Sequence, residues 1–175
     1  MKLPYRRSTD GGNTFELEQE LIHDTVAYPY YAYRPLILAN RNTVYLFFIA
    51  GTSRVGDEPI RMLKSHDGGT TWDNIATITS NLTSGPDYGT NSGGISGLAL
   101  GDTLLLLYKD VNSHQGQVIV STNAGLNWNR KYDNVVYDSK FAFTPGVLHT
   151  IMRAVPEGSS TGEIMYTHST DLDDT

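Results

Sequence analysis

The sequence predicts an all-β protein: a partial β-propeller of about three blades, each a four-stranded antiparallel sheet. Three observations lead there. One turn signal recurs along the chain, its copies stand at blade length, and the segments between them are short, strand-sized runs with no helical period.

The turn signal is Ser-x-Asp-x-Gly-x-Thr followed by an aromatic. The first copy is Ser8-Thr9-Asp10-Gly11-Gly12-Asn13-Thr14-Phe15, and the second is Ser65-His66-Asp67-Gly68-Gly69-Thr70-Thr71-Trp72. The third, Ser121-Thr122-Asn123-Ala124-Gly125-Leu126-Asn127-Trp128, carries Asn123 in the acid position. A fourth begins at Ser169-Thr170-Asp171 and has Asp173 where glycine belongs. Asp10 to Asp67 is 57 residues, Asp67 to Asn123 is 56 and Asn123 to Asp171 is 48. Kelch-type propeller repeats run about 50 residues. The chemistry fits a tight hairpin turn. The Asp side chain accepts hydrogen bonds from backbone N–H groups just ahead of it, and Gly12, Gly69 and Gly125 supply positive φ. Trp72 and Trp128 then re-enter the sheet and bury their rings. Asn123 offers the same acceptor oxygen, so the third turn is weakened rather than broken.

Between the turns the strands fall in a repeating order. The first full unit gives Tyr33–Ala39, Thr43–Ala50, Pro59–Ser65 and Trp72–Ile78. The second gives Gly94–Leu100, Thr103–Lys109, Gly116–Ser121 and Trp128–Asn134. The third offers Lys140–Thr144, Val147–Val155 and Gly162–Ser169, without a fourth strand. Ahead of them lie a stub, Leu3–Ser8, and a strand over Thr14–Ile22. Gly101-Asp102, Asn40-Arg41-Asn42 and Pro145-Gly146 supply the tight turns. The expected organisation is therefore one propeller segment, 1–175, with blade remnants over 1–22, blades over 23–80 and 81–136, and an incomplete blade over 137–175.

Composition sets the outer limits. The formal charge of −6 argues against a nucleic-acid surface, which needs clustered Lys and Arg. No run approaches the roughly 18 apolar residues of a membrane-spanning helix. There are no cysteines, so disulfides and thiolate metal sites are excluded. The five histidines show no metal spacing, and no cofactor motif is present, so neither metal nor cofactor is expected.

The turns match the Asp-box, or BNR, repeat, and with it the chain resembles the sialidase family of propellers. In that family the box joins the third and fourth strands of a blade, on the rim away from the binding face. Sialidases also carry an aromatic-Arg-Ile-Pro motif before a strand, then a loop bearing an Asp, then a box. Here Tyr33-Arg34-Pro35-Leu36-Ile37 precedes Thr43–Phe48, then Ala50-Gly51-Thr52-Ser53-Arg54-Val55-Gly56-Asp57, then the box at Ser65. The Ile between Arg and Pro is absent. The resemblance makes Arg34 the first arginine of a triad that grips a substrate carboxylate, and Asp57 the acid/base. Met152-Arg153-Ala154, ahead of Gly162–Tyr166 and the last box, is similar to the region of the second triad arginine. The third arginine and the tyrosine nucleophile have no counterpart in the sequence.

Arginine suits a carboxylate clamp because its planar fork makes two hydrogen bonds to the anion. An acid/base at Asp57 has to protonate the glycosidic oxygen. The competing readings are a solvated or rim-paired charge for Arg34 and Arg153, and a turn residue for Asp57. Arg54 either lines the same site or is solvated. Tyr31 and Tyr33 belong to a cluster with Tyr28 and Tyr30 around Pro29, which serves either sugar or protein contact or blade packing. Two functions stay open: a glycoside hydrolase of sialidase type, inactive as this chain alone, and a non-catalytic glycan- or protein-binding propeller. An extracellular or cell-surface setting is expected for either. Three blades do not close a wheel of about four to eight. The expected partners are therefore a glycan and a second copy of the chain that completes the ring.

Overall fold

The computed structural model describes residues 2–23, 31–51, 59–78, 95–110, 116–135, 139–144, 147–154 and 163–170. They form strands and turns only, arranged as four antiparallel sheets. The first sheet has two strands, β1 (Lys2–Tyr5) and β2 (Gln19–His23). The second runs in order through β3 (Tyr31–Asn40), β4 (Thr43–Gly51), β5 (Ile60–Ser65) and β6 (Ala76–Thr77). The third runs through β7 (Ser96–Leu100), β8 (Thr103–Lys109), β9 (Gly116–Ser121) and β10 (Asn129–Val135). The fourth has three strands, β11 (Ser139–Thr144), β12 (Val147–Ala154) and β13 (Glu163–Ser169). The fold is thus all-β and a partial propeller of four-stranded meanders, as the repeat spacing predicts.

The recurring turn is built as its chemistry requires. In the second copy the Asp67 carboxylate accepts the backbone N–H groups of Thr70 (2.9 Å) and Thr71 (2.8 Å) and the Thr71 hydroxyl (2.6 Å). Ser65 Oγ donates to that carboxylate and accepts the Gly69 N–H at 2.8 Å. Asp10, with Ser8, Gly12 and Thr14, repeats the pattern. Gly11, Gly12, Gly68 and Gly69 all have φ between 69° and 92°. The third copy keeps the serine bond to Gly125 and one backbone donor, Asn127, to Asn123 Oδ1. It places Ala124 at φ 56°, where the other two have glycine.

Several strands are shorter than expected: the stub is Lys2–Tyr5, β7 starts at Ser96, and the strands after the first two turns are cut most. After the first turn the regular ladder resumes at Gln19, not at Thr14: residues 8–14 are committed to the turn, and a lone Glu16 N–H to Arg7 carbonyl bond (2.8 Å) bridges the arms before it. After the second, Trp72–Ile78 supplies only the two-residue β6. Asp73 N–H bonds to Lys64 carbonyl, and regular ladder pairing is confined to Arg61↔Thr77 and Met62↔Ala76.

The sheets stack face to face in chain order. Alternation along β4 sends Leu46 and Phe48 backward against Leu3 and Ile22 of the two-stranded sheet, and Leu63 of β5 joins them. The same alternation sends Tyr45, Phe47 and Ile49 forward, with Ile60 and Met62, against Leu104, Leu106, Tyr108 and Ile119. Strand β7 packs against β3 on one side and β11 on the other, so the first strand of each full meander lies innermost. Gly97 permits that approach: a Cβ there would sit 2.7 Å from Leu105 carbonyl and 3.1 Å from a Leu36 methyl. The stack closes at its turn end through cross-sheet bonds. Arg7 reaches the Gly68 carbonyl (3.3 Å) and Thr70 Oγ1, Asn40 Nδ2 donates to the Gly101 carbonyl (3.0 Å), and Lys64 Nζ to the Ala124 carbonyl (3.3 Å).

Candidate functional site

Those cross-sheet bonds gather the Ser-x-Asp turns at one end of the stack. The opposite end is where β3 and β5 begin and β4 and β8 finish. Arg34, Tyr31, Tyr33 and Arg153, four of the sequence-derived candidates, lie on strands toward that end.

Arg34 sits on a β-bulge. Tyr33 lies opposite Ile49 and Leu36 opposite Phe47, so Arg34 and Pro35 together face the single residue Phe48. Arg34 has φ 55°, a left-handed conformation that costs a non-glycine residue about 1–2 kcal/mol. A bulge of this kind re-aims a side chain and recurs beside functional sites. Arg34 as a residue is half-buried, on the innermost strand of its sheet. Tyr31 and Tyr33 hold the first positions of the same strand, opposite Gly51 and Ile49. Arg153 is opposite Ile164, next to the end of β12, and occupies in its sheet the place Lys109 has in β8. The two candidate arginines therefore stand on different sheets, one on a first strand and one on a second. Asp57, Arg54 and Asp171 lie outside the described residues.

The structure adds a group that sequence reasoning missed. Asp110 follows directly on β8 at the same end and is 2% exposed, the single buried carboxylate among the described residues. Tyr108 and Gln117 are directly opposite each other on the same sheet face and are buried as well. The Gln117 carboxamide oxygen meets no hydrogen-bond donor among the described residues. Alternation from Leu104 through Leu106 and Tyr108 was the available signal, since it carries Asp110 onto the inward face. A carboxylate, a carboxamide and a phenol held at the mouth of a seam can accept and relay hydrogen bonds. No group of three or more His, Asp or Glu able to hold a metal ion occurs among the described residues.

The acidic turns are tuned differently. Asp10 is held at about 2, chiefly because the Thr14 hydroxyl and N–H bond to its charged form. Asp67 is likewise held well below the usual carboxylate range by Thr71. These carboxylates stay ionised and are spent on turn geometry, so they cannot serve as proton donors.

No family model and no curated protein matches the chain. Solved structures do. A Hadza microbial sialidase superposes on 95% of this chain and 38% of its own, at 19% identity and a TM-score of 0.65. A Penicillium chrysogenum alpha-L-arabinanase, complexed with arabinobiose, covers 98% of this chain at 20% identity and a TM-score of 0.67. A Trypanosoma rangeli sialidase in complex with sialic acid covers 95% at 12% identity and a TM-score of 0.61. The chain thus has the sialidase-like propeller fold of glycoside hydrolases. It spans 38% of the length of the first of these proteins and 55% of the second.

Proposed function

We propose that the chain is part of a sialidase-like glycoside hydrolase propeller. Its Ser-x-Asp turns are Asp boxes, and the end opposite them receives a glycan. Arg34 grips an anionic group of that glycan, Arg153 supports it from the fourth sheet, and Asp57 stands as acid/base. The observation that carries this reading is the bulge at Arg34. A strand gives up regular pairing and places an arginine at φ 55° on the innermost strand, where a straight strand would have avoided that cost. The fold likeness to sialidases and an arabinanase supports the glycosidase class. Arginine at that position favours an anionic sugar over a neutral one, because its fork is matched to a carboxylate. Glycans of this kind place the protein at the cell surface or outside the cell.

The 175 residues offer two arginines and one acid but no counterpart of the tyrosine nucleophile, so the chain by itself binds rather than turns over. The test pairs two measurements. A fluorogenic sialoside should show no turnover above background, and titration with sialyllactose, followed by NMR, should show saturable binding that Arg34→Gln abolishes. Binding that survives Arg34→Gln, or that neutral lactose reproduces, would overturn the assignment in favour of a non-catalytic binding module.

A further inference from the structure

The stack has one covered and one uncovered face at each end, and the two uncovered parts match. Forward-facing positions of the second sheet (Phe47, Ile49, Met62) and of the third (Leu105, Leu107, Val118) are buried. The corresponding positions of the fourth sheet are open: Ile151 is 53%, Ile164 83% and Tyr166 59% exposed. At the other end, β1 and β2 cover Leu46, Phe48 and Leu63, yet Ile37 on the innermost strand β3 is 53% exposed. The two-stranded sheet thus shields the outer half of that face and leaves the inner half bare. The fourth sheet ends the described stack with two inner strands, β11 and β12, whose forward side no described residue covers.

Strand β1 and strand β13 are versions of one element. Aligned on Ser8-Thr9-Asp10 and Ser169-Thr170-Asp171, they place Tyr5 on Tyr166 and Leu3 on Ile164. Both precede a Ser-x-Asp turn. Strand β1 has a neighbour, β2, on one edge only, and an open edge is a template for another strand. Strand β13 is an edge strand, paired to β12 alone. Beyond its ladder to β12 it adds the Tyr166 hydroxyl to His149 Nδ1 at 2.7 Å, and its described side chains are exposed.

We propose that two copies of this chain close one ring by strand exchange. The β1–β2 pair of each copy replaces β13 of the other, so that the fourth sheet becomes β11–β12–β1–β2. The exchange substitutes one ladder for an equivalent one and adds the fourth strand. It also continues an interface that already exists, because β1–β2 stays docked on its own β3–β6 sheet while the partner's β11 and β12 slide over Ile37. Ile151 and Ile37, bare in one copy, then cover each other. Association by exchange of an identical element is a low-cost route to a symmetric dimer.

The test is the mass and connectivity of the purified chain. Light scattering after gel filtration should give twice 19.3 kDa. A compact monomer, with that face empty, would overturn the proposal, and so would a polydisperse polymer or a stoichiometric foreign polypeptide. Ile151→Glu and Ile37→Glu, both at exposed positions, should each give a monomer with an unchanged β-sheet circular dichroism spectrum. A dimer that survives both substitutions also overturns it. Connectivity is read by cross-linking, which the absence of natural cysteine makes clean. Thr150 lies opposite Thr167, whose place in the alignment is taken by Arg6, the residue after β1. Opposed cross-strand Cα atoms stand about 4.5–5.5 Å apart, within disulfide reach. Thr150→Cys mixed with Arg6→Cys should form a disulfide-linked heterodimer, while neither variant links to itself. A dimer lacking that heterodimer would show that the copies meet by another face. Because no glycan is involved, the outcome is independent of the proposed activity.

Discussion

At residue scale the turns form a small series in which chemistry and backbone vary separately. Gly69 has φ 87°, and a Cβ there would run into the Tyr5 ring that packs edge-on against Trp72. Gly69→Ala should therefore cost about 3 kcal/mol, combining left-handed strain with overpacking. Ala124 already bears the left-handed strain, and its turn lacks the threonine hydroxyl bond of the other two. Ala124→Gly should stabilise by up to about 1 kcal/mol, the relief of strain being partly offset by a freer unfolded chain. Urea midpoints of both variants against the wild type check the pair, and a stabilising Gly69→Ala would refute this account of the turn. These roles were legible in the sequence because they are local: acceptor, glycine and threonine sit within seven positions of one another. Asp110 was legible only in its direction: the alternation from Leu104 through Tyr108 points it inward, but its burial depends on a second sheet folding over it.

At the scale of elements, strand identity was legible and strand length was not. Apolar runs located β4 and β8 to within a residue, since Val44–Ile49 and Leu104–Tyr108 fill both faces of buried strands. Strand β10 begins at Asn129, one residue after Trp128, as expected, but the strands after the first two turns came out short of expectation, because the aromatic after each suggests a strand restarting at once. Hydrogen bonds from residues 70 and 71 to Asp67 instead hold the chain in the turn, and β6 contributes two paired residues. The bulge at Arg34 was also invisible, since Arg-Pro reads as extended chain. The turns make a pH prediction for the sheets they join. Asp10 and Asp67 have folded-state values below those of the unfolded chain, so their stabilisation is complete above about pH 4. It is lost as pH falls toward about 2, where Asp10 takes up its proton. The urea midpoint should fall between pH 4 and 2, and Asp10→Asn with Asp67→Asn should start lower and flatten that slope. The turn at Asn123 has no ionisable acceptor and should contribute nothing to it. An unchanged slope in the double variant would mean that other carboxylates carry the acid transition.

At the scale of the molecule, stability is unevenly distributed, and the stacking order says where. Strands β4 and β8 are central in their sheets and face a packed layer on both sides, so Phe47, Phe48, Leu104 and Leu106 are wholly buried. Strand β13 is an edge strand with Ile164, Met165, Tyr166 and His168 exposed. Opening β4 or β8 breaches two seams at once, which links their amide exchange to global unfolding, whereas opening β13 breaches only one ladder. Native-state hydrogen exchange should therefore find segments 44–49 and 104–108 slowest and 163–169 among the fastest. Strand exchange between two copies leaves that ranking intact, because it frees β13 while burying β11, β12 and Ile37. Protection should then extend to 139–154 and still omit 163–169. That combination would distinguish a closed two-chain ring from an isolated arc, in which 139–154 exchanges faster than the two central strands. Protection of 163–169 equal to that of 104–108 would mean that β13 is clamped on its outer edge, and would contradict both its exposed side chains and its displacement.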